Sequence, residues 1–311
     1  MKLSFVIPVL NEMNSLQTLC NEIRANISDY DYEMIFIDDG STDGSYVVLS
    51  ALAEHDKKIK IIKFRKNFGK AEALNIGFET ASGDIVFTMD ADLQDDPAEI
   101  PAFIKKINEG WDLVSGWKVK RRDPISKILP SMLFNYVTSK VFGIRLHDFN
   151  CGFKAYRKEV VTEIDVYGEM HRYIPALADN KGFKINEIQV NHRARKFGKS
   201  KYGVARFFRG FLDLLTVKLV TKFNRSPLYL FGGIGFITSG VGFLLSLYLT
   251  FIRLFKMVYL SNRPLLFLAI LLIMVGMQFI SIGLIGELLV NQTRKKNKDR
   301  VSVSVEKVVN L

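Results

Sequence analysis

Through the first 117 residues, short apolar runs alternate with segments of helical period. Runs of strand length occur at Leu3–Val9, Glu33–Ile37, Ile59–Phe64, Ile85–Met89 and Asp112–Ser115. Between them, apolar positions recur about every 3.6 residues over Ser15–Ile27, Ser45–Glu54, Ala71–Thr80 and Pro97–Asn108. Strand and helix alternating at this spacing predict an α/β domain whose mostly parallel sheet is covered on both faces.

Further along, the pattern changes character. Leu228–Ile252 and Leu265–Gly286 contain no charged residue. Each exceeds the roughly 20 residues a helix needs to cross the hydrocarbon core of a bilayer. Two C-terminal transmembrane helices are therefore expected. Gly232, Gly233, Gly235, Ser239 and Gly240 place small residues on the first, where they could admit close helix contact. Two other segments are amphipathic. One carries Ile125, Ile128, Leu129, Met132, Leu133, Tyr136, Val137 and Val141, and the other Val204, Phe207, Phe208, Phe211, Leu212, Leu215 and Leu219. Arg121, Arg122 and Lys127 flank or face the first, and Arg206, Arg209 and Lys222 the second. A helix packed on a core has the same period, but the adjoining spans and the scarcity of acids favour helices lying in the membrane interface.

Charge supports that view. The net formal charge is +11, which alone would suit nucleic acid. Its distribution is uneven, with basic patches at 118–127, 193–225 and 294–300 on an otherwise mildly acidic chain. All three border predicted membrane elements, so the expected partner is a bilayer with anionic headgroups and not nucleic acid. The two cysteines, Cys20 and Cys151, exclude a disulfide scaffold and a four-cysteine zinc module. No leader is visible in the first residues, where Asn11 and Glu12 soon interrupt the apolar run. The N-terminal part is thus expected to stay on the cytoplasmic side of the cell membrane. Two spans would return the tail with Arg294, Lys295 and Lys296 to that side, although Arg253, Lys256 and Arg263 in the connecting loop weaken the charge argument.

In parallel sheets, ligands bind beyond the carboxyl ends of the strands. Polar residues collect there: Asn11-Glu12 after the first strand, Asp38-Asp39-Gly40-Ser41 after the second, Asp90-Ala91-Asp92-Leu93-Gln94 after the fourth. There is no GxxxxGK[ST] loop, and no GxGxxG follows a strand, which argues against a P-loop NTPase and a dinucleotide-dependent oxidoreductase. Asp90 and Asp92 instead offer two hard carboxylates across one small residue. Such a pair suits Mg2+ or Mn2+ sharing its remaining sites with water and substrate phosphates.

Val6-Ile7-Pro8 with Asn11-Glu12, Asp38 to Asp43, Asn67-Phe68-Gly69-Lys70, and Asp90 to Asp95 with Pro97 resemble the GT-A domain of glycosyltransferase family 2. Asp148-Phe149-Asn150-Cys151-Gly152-Phe153 and Arg195 to Tyr202, followed by amphipathic helices and two spans, narrow the resemblance to the polyprenyl-phosphate glycosyltransferases. That group includes the dolichyl-phosphate mannose synthases and bacterial undecaprenyl-phosphate glucosyltransferases. The resemblance covers nearly the whole chain. It implies a GT-A catalytic domain over 1–202 with an interfacial helix at about 124–142, a second interfacial helix over 203–225, a two-helix membrane domain over 228–290 and a basic cytoplasmic tail over 291–311.

The implied reaction is inverting transfer of one sugar from a nucleotide-sugar to a polyprenyl phosphate. The resemblance gives Pro8, Asn11, Glu12 and Asp38 to the donor pocket, together with Ala91 and the metal-site residues Asp90, Asp92 and Gln94. Asp148 stands where the family has its general base. An acceptor phosphate, with a second pKa of about 6, is already largely ionised near neutral pH, so Asp148 is needed less for proton removal than for organising the acceptor. Arg195, Ser200 and Lys201 suit the acceptor phosphate, with Lys118, Arg121 and Arg122 as further candidates or as headgroup contacts. The family commonly has Arg where Lys118 stands. Asp43 serves equally as a helix cap, and His147, beside Asp148, is left out of the chemistry. UDP-glucose is the favoured donor, with GDP-mannose, UDP-N-acetylglucosamine and UDP-galactose as alternatives. Related proteins suggest a homo-oligomer, a tetramer among the options. A processive polysaccharide synthase should carry Gln-x-x-Arg-Trp and more spans, but Trp111 and Trp117 both precede any such position. A non-catalytic scaffold would not need Asp90, Asp92 and Asp148 together.

Overall fold

β1 (Lys2–Val9) lies in the middle of the sheet, parallel to β2 (Asp31–Asp38) on one side and to β4 (Ile85–Thr88) on the other. β3 (Ile59–Phe64) continues the parallel set beyond β2. Past β4, β6 (Lys154–Arg157) runs antiparallel between β4 and β5 (Leu113–Lys118), and β7 (Ile185–Val190) closes that edge parallel to β5. β8 (Val305–Val309), which falls within the expected tail, pairs antiparallel with β3 at the other edge. The order is β7-β5-β6-β4-β1-β2-β3-β8. This is a computed structural model, and it describes residues 1–119, 125–166, 168, 170–194, 214, 217, 227–256, 264–296 and 305–309. Arg121, Arg122, Arg195, Ser200, Lys201 and nearly all of the helix expected over 203–225 lie outside the described residues.

Strand alternation sorts the core into two layers. Leu3, Phe5, Ile7 and Val9 share a buried cluster with Leu16, Leu19 and Ile23 of α1 (Leu16–Ala25), Leu49 and Leu52 of α2 (Ser45–His55), and Phe103, Ile104 and Ile107 of α4 (Ile100–Asn108). Phe5 stacks on Phe87 at 5.0 Å between ring centroids. Each fully buried side chain of this size contributes about 1.5–3 kcal/mol. Val6 and Ile37 point to the other layer, where α3 (Lys70–Thr80) packs. A Cβ at Gly77 would stand 2.2 Å from Val6 Cγ1, so only glycine lets α3 sit at this depth. α6 (Lys158–Glu163) follows β6, and α7 (Ile174–Lys181) precedes β7.

α5 (Ile125–Phe142) is amphipathic in an inverted sense. Its polar Asn135 and Thr138 are buried, at 6% and 0% exposure, whereas Met132, Leu133 and Tyr136 are 61%, 56% and 63% exposed. Phe134 and Phe142 pack on Tyr173. The helix therefore presents much of its apolar surface away from the domain.

The chain forms two units, Met1–Val217 with Ser302–Leu311, and Lys218–Val301. The second is an antiparallel pair, α8 (Pro227–Lys256) and α9 (Pro264–Lys296), each long and apolar enough to cross a membrane. Gly235 and Ser239 lie on the seam. Gly276 approaches so closely that its Cβ would meet Ser239 Oγ at 2.1 Å. Gly233 and Gly240 face away from the partner helix, with nothing within 4 Å of a Cβ.

Candidate functional site

The parallel register sets Val9 level with Asp38, so β1 and β2 deliver their polar ends to one place. Asn11 adopts a left-handed φ of 52° and binds the second loop twice. Its amide donates to Ser41 Oγ at 2.9 Å, and its Oδ1 accepts from the Thr42 amide at 2.8 Å. The Glu12 amide donates to Ser45 Oγ at 3.0 Å, and Pro8 is half-buried on β1. Asp38 is fully buried. Its Oδ1 accepts from the Ser41 amide at 2.9 Å, while Oδ2 has no hydrogen-bond donor among the described residues. A buried carboxylate oxygen without a donor is costly unless a ligand supplies one.

The neighbouring carboxylates have structural tasks. Asp39 accepts the amides of Phe68 and Gly69 at 2.7 and 3.0 Å, bracing the Asn67–Lys70 loop. Burial pushes its carboxyl up despite those bonds. Asp43 accepts the Ser45 amide at 3.0 Å and the Met13 amide at 3.1 Å from one position before the N-cap Gly44, tying the start of α2 to the loop after β1.

Beyond β4 the chain turns sharply. Leu93 is buried with a φ of 62°, a conformation costing about 1–3 kcal/mol that persists where its surroundings impose it. Here Asp92 Oδ1 accepts the Gln94 amide at 3.1 Å. Lys70, the first residue of α3, donates from Nζ to Asp90 Oδ1. Burial opposes ionisation of Asp90, but Lys70, with Lys118 and His171 further off, outweighs it and holds the carboxyl at about 2. Among the described residues no group of three or more His, Cys, Asp or Glu forms a cage for a metal ion. A two-carboxylate turn of this kind fits a divalent ion that completes its shell with water and a diphosphate, because Mg2+ commonly takes only one or two protein carboxylates.

Lys118, expected among the acceptor-phosphate ligands, pairs with Asp95 at 2.9 Å, with side-chain exposures of 13% and 1%. Burial disfavours its charge, yet Asp95 with Cys151 and Asp90 raises its pKa above the ordinary lysine value. Its ammonium is thus committed to the turn that carries Asp92 and Gln94.

The Asp148 loop folds against the same turn. Asp148 is 1% exposed, and its Oδ1 accepts the Asn150 amide at 3.1 Å. A Cβ on Gly152 would meet Asp90 Oδ2 at 2.6 Å, and Thr88 Oγ1 donates to the Gly152 carbonyl at 2.8 Å. Lys154, beneath the loop, donates to the carbonyls of Phe149 and Cys151. Burial lowers its pKa, and Cys151 and Asp148 resist that shift. Burial also pushes the Cys151 thiol up to about 12, so it remains protonated. His147 is clasped by Glu187, which accepts from its amide at 2.8 Å and pairs with Nδ1, and it stacks on Trp117 at 4.0 Å.

The structure therefore brings Asp90, Asp148 and Lys118 into one neighbourhood, and ties Asn11 and Glu12 to the loop that follows Asp38. The basic segment also starts nearby. Its last described residues run alongside the Asp90–Gln94 turn, with the Arg193 amide donating to the Gln94 carbonyl at 3.0 Å and an isolated bridge joining His192 to Asp95. Lys70, Asn135, Gly152, Lys154 and the His147–Glu187 pair escaped sequence reasoning. Gly152 and Lys70 lie inside recognised motifs, but nothing local indicates which partner each one meets.

Residues 4–165 match the profile of Glycosyl transferase family 2. A dodecaprenyl-phosphate galacturonate synthase from Rhizobium johnstonii is 34% identical over 296 residues, covering 93% of this chain and 88% of that protein. An undecaprenyl-phosphate 4-deoxy-4-formamido-L-arabinose transferase from Aeromonas hydrophila is 35% identical over 288 residues, covering 91% and 87%. Among solved structures, glucosyl-3-phosphoglycerate synthase from Mycobacterium tuberculosis, crystallised with Mn2+, UDP and phosphoglyceric acid, shares the fold. Its TM-score is 0.55 at 20% identity, over 71% of this chain and 78% of that one.

Proposed function

Because the chain belongs to glycosyl transferase family 2, we propose that it transfers one sugar from a nucleotide-sugar to the phosphate of a membrane polyprenol. The contact between Gly152 and Asp90 carries this reading, since it sets the Asp148 loop beside the metal-site turn. Donor and acceptor chemistry then share one locus.

Asp38 Oδ2, buried and without a donor among the described residues, receives an N–H or O–H of the nucleoside, and Pro8, Asn11 and Glu12 line that pocket. Asp90 and Asp92, with Ala91 as the small residue between them and Gln94 alongside, hold Mg2+ or Mn2+. That ion supplies charge neutralisation for the departing nucleoside diphosphate. Asp148 orients the acceptor phosphate for attack at the anomeric carbon. Arg195, Ser200 and Lys201, with Arg122 as a further candidate, bring the acceptor's negative charge close to a donor that repels it. Lys118 supports the metal turn through Asp95.

For the donor we propose a UDP-sugar. The resemblance to the bacterial glucosyltransferases favours UDP-glucose. The named relatives act with galacturonate and 4-deoxy-4-formamido-L-arabinose, so donors of those two sugars join UDP-glucose, UDP-galactose, UDP-N-acetylglucosamine and GDP-mannose in the panel to be tested. We assign the protein to the inner membrane through α8 and α9, which are long and apolar enough to cross it, and read both termini as cytoplasmic. α5 lies in the interface with Met132, Leu133 and Tyr136 toward lipid. A homo-oligomer is the expected assembly.

The test is incubation of membranes containing the full chain with undecaprenyl phosphate and each labelled nucleotide-sugar, followed by extraction of lipid-linked product. Product with one donor, absent for Asp90→Ala, supports the reading. No lipid-linked sugar from any donor sinks it.

A further inference from the structure

α5 is joined to the loop that carries Asp148 more intimately than chain connectivity requires. The helix ends at Phe142, and the following loop bends back onto its inward face at two points. Ser139 Oγ donates to the Ile144 carbonyl at 2.7 Å. Asn135 Oδ1 accepts the Phe149 amide at 3.3 Å in a buried setting. These bonds bracket Asp148, one on each side. Ile144, Leu146 and Phe149 are themselves buried, at 8%, 6% and 0% exposure, so the bracket has little room to shift independently.

The inward face is unusual for an amphipathic helix. Burying an amide costs free energy unless it is hydrogen-bonded, and here its partner is the backbone of the acceptor loop. The opposite face carries the exposed Met132, Leu133 and Tyr136. Lys140, exposed beside Tyr136 on that face, is complementary to anionic headgroups, and two helices long and apolar enough to cross a membrane follow in the same chain. A bilayer is the occupant that fits this apolar face.

We propose that Asn135 is a positioning residue that makes the placement of Asp148 depend on the seating of α5 at the bilayer. This rests on the polyprenyl-phosphate reading above. Seated on lipid, α5 holds the Phe149 amide through Asn135, and Asp148 takes its working position. Unseated, the helix shifts and carries the bracketed loop with it. Transfer then proceeds efficiently only where the acceptor resides.

Cys151 provides a readout independent of activity. It lies two residues beyond Phe149 and is 2% exposed, so release of the loop exposes its thiol. Full-length protein is placed in nanodiscs of phosphatidylethanolamine and phosphatidylglycerol, and separately in detergent. Maleimide labelling of Cys151 and Cys20 is then followed by mass spectrometry. In the wild type, Cys151 should label about tenfold more slowly in nanodiscs than in detergent, with buried Cys20 slow in both. Asn135→Ala should label equally fast in the two settings. It should also lose about tenfold or more in kcat toward undecaprenyl phosphate, the scale of a small misplacement near the chemistry, with UDP affinity within twofold. Should Asn135→Ala fail to fold, Met132→Ser with Leu133→Ser on the outward face carries the test, and it should release Cys151 in nanodiscs. Unchanged Cys151 protection in both variants overturns the coupling. If the wild type makes no lipid-linked sugar, the functional reading fails, and the labelling ratios still decide the coupling.

Discussion

Gly152 faces Asp90 so closely that a Cβ there would stand 2.6 Å from Oδ2 and 2.8 Å from Cγ. No side chain fits that gap without moving either the carboxylate or the loop that carries Asp148. Gly152→Ala is therefore expected to lower transfer by about 100-fold, because misplacement on an ångström scale suffices for such a loss. Thermal stability should fall as well, since buried Phe149, Cys151 and Phe153 keep the loop from relaxing outward. Steady-state rates alongside a Mn2+ titration check this, and wild-type turnover at ordinary Mn2+ would contradict the close-approach argument.

The Lys118–Asp95 pair governs stability near the Asp90–Gln94 turn. Removing one member of a buried pair leaves the other charge uncompensated, at a cost of about 3 to 5 kcal/mol. Lys118→Met should therefore destabilise the domain strongly, and adding Asp95→Asn should restore part of the loss. The raised pKa of Lys118 also sets a pH window. Its folded value lies above the unfolded value of about 10.4, so its contribution is complete below that pH and is lost as pH rises beyond it. Melting temperatures of the single and double variants between neutral pH and pH about 11 test both statements.

Glu33 makes the corresponding prediction at acid pH. Burial works against its ionisation, but Ser4, the Ser82 amide, Lys2 and Lys60 outweigh it and hold the carboxyl down at about 2. The unfolded value is about 4.3, so this carboxylate contributes on the order of 3 kcal/mol above that pH, lost as pH falls through about 2. Glu33→Gln should be less stable than wild type at neutral pH, with a shallower decline on acidification. Identical pH slopes for the two proteins would remove Glu33 as the cause.

Much of the sheet was legible in the chain. Leu3–Val9 and Ile59–Phe64 are apolar, flanked by polar turns, and long enough for strand period to stand out. β6 was not, because four residues beginning with a buried lysine carry no recognisable alternation. β7 lies at an edge and is mostly half-buried, which blurs its pattern. Within the site, the Asp90–Asp92 turn could be found because its chemistry is local in sequence. The partners Lys70 and Gly152 could not, since each meets Asp90 only after segments distant in sequence come together. The amphipathic period of α5 was visible, but its sense was not. Only folding shows that Asn135 and Thr138 face inward.

A divalent ion at Asp90 and Asp92 would be indispensable to diphosphate departure. Chelation with EDTA should abolish transfer, and Mg2+ or Mn2+ should restore it. Asp92→Asn should weaken metal activation while leaving the fold intact, because the Gln94 amide it accepts can bond an amide oxygen equally well. Full activity after exhaustive chelation would remove the ion from the reaction.

Asp148 separates two roles that a simple activity loss cannot distinguish. The acceptor phosphate has a second pKa of about 6, so above neutral pH it needs no base to become a nucleophile. A general base at Asp148 would matter mainly where protonated acceptor persists, and the defect of Asp148→Asn would then fade as pH rises. A positioning group matters at every pH. The loop geometry favours the second role, since Asp148 is buried, its Oδ1 already accepts the Asn150 amide, and its backbone is bracketed by α5. The expected outcome is a loss in kcat for Asp148→Asn that stays constant from pH about 6 to 9. A defect that vanishes at the alkaline end would restore Asp148 to the role of base.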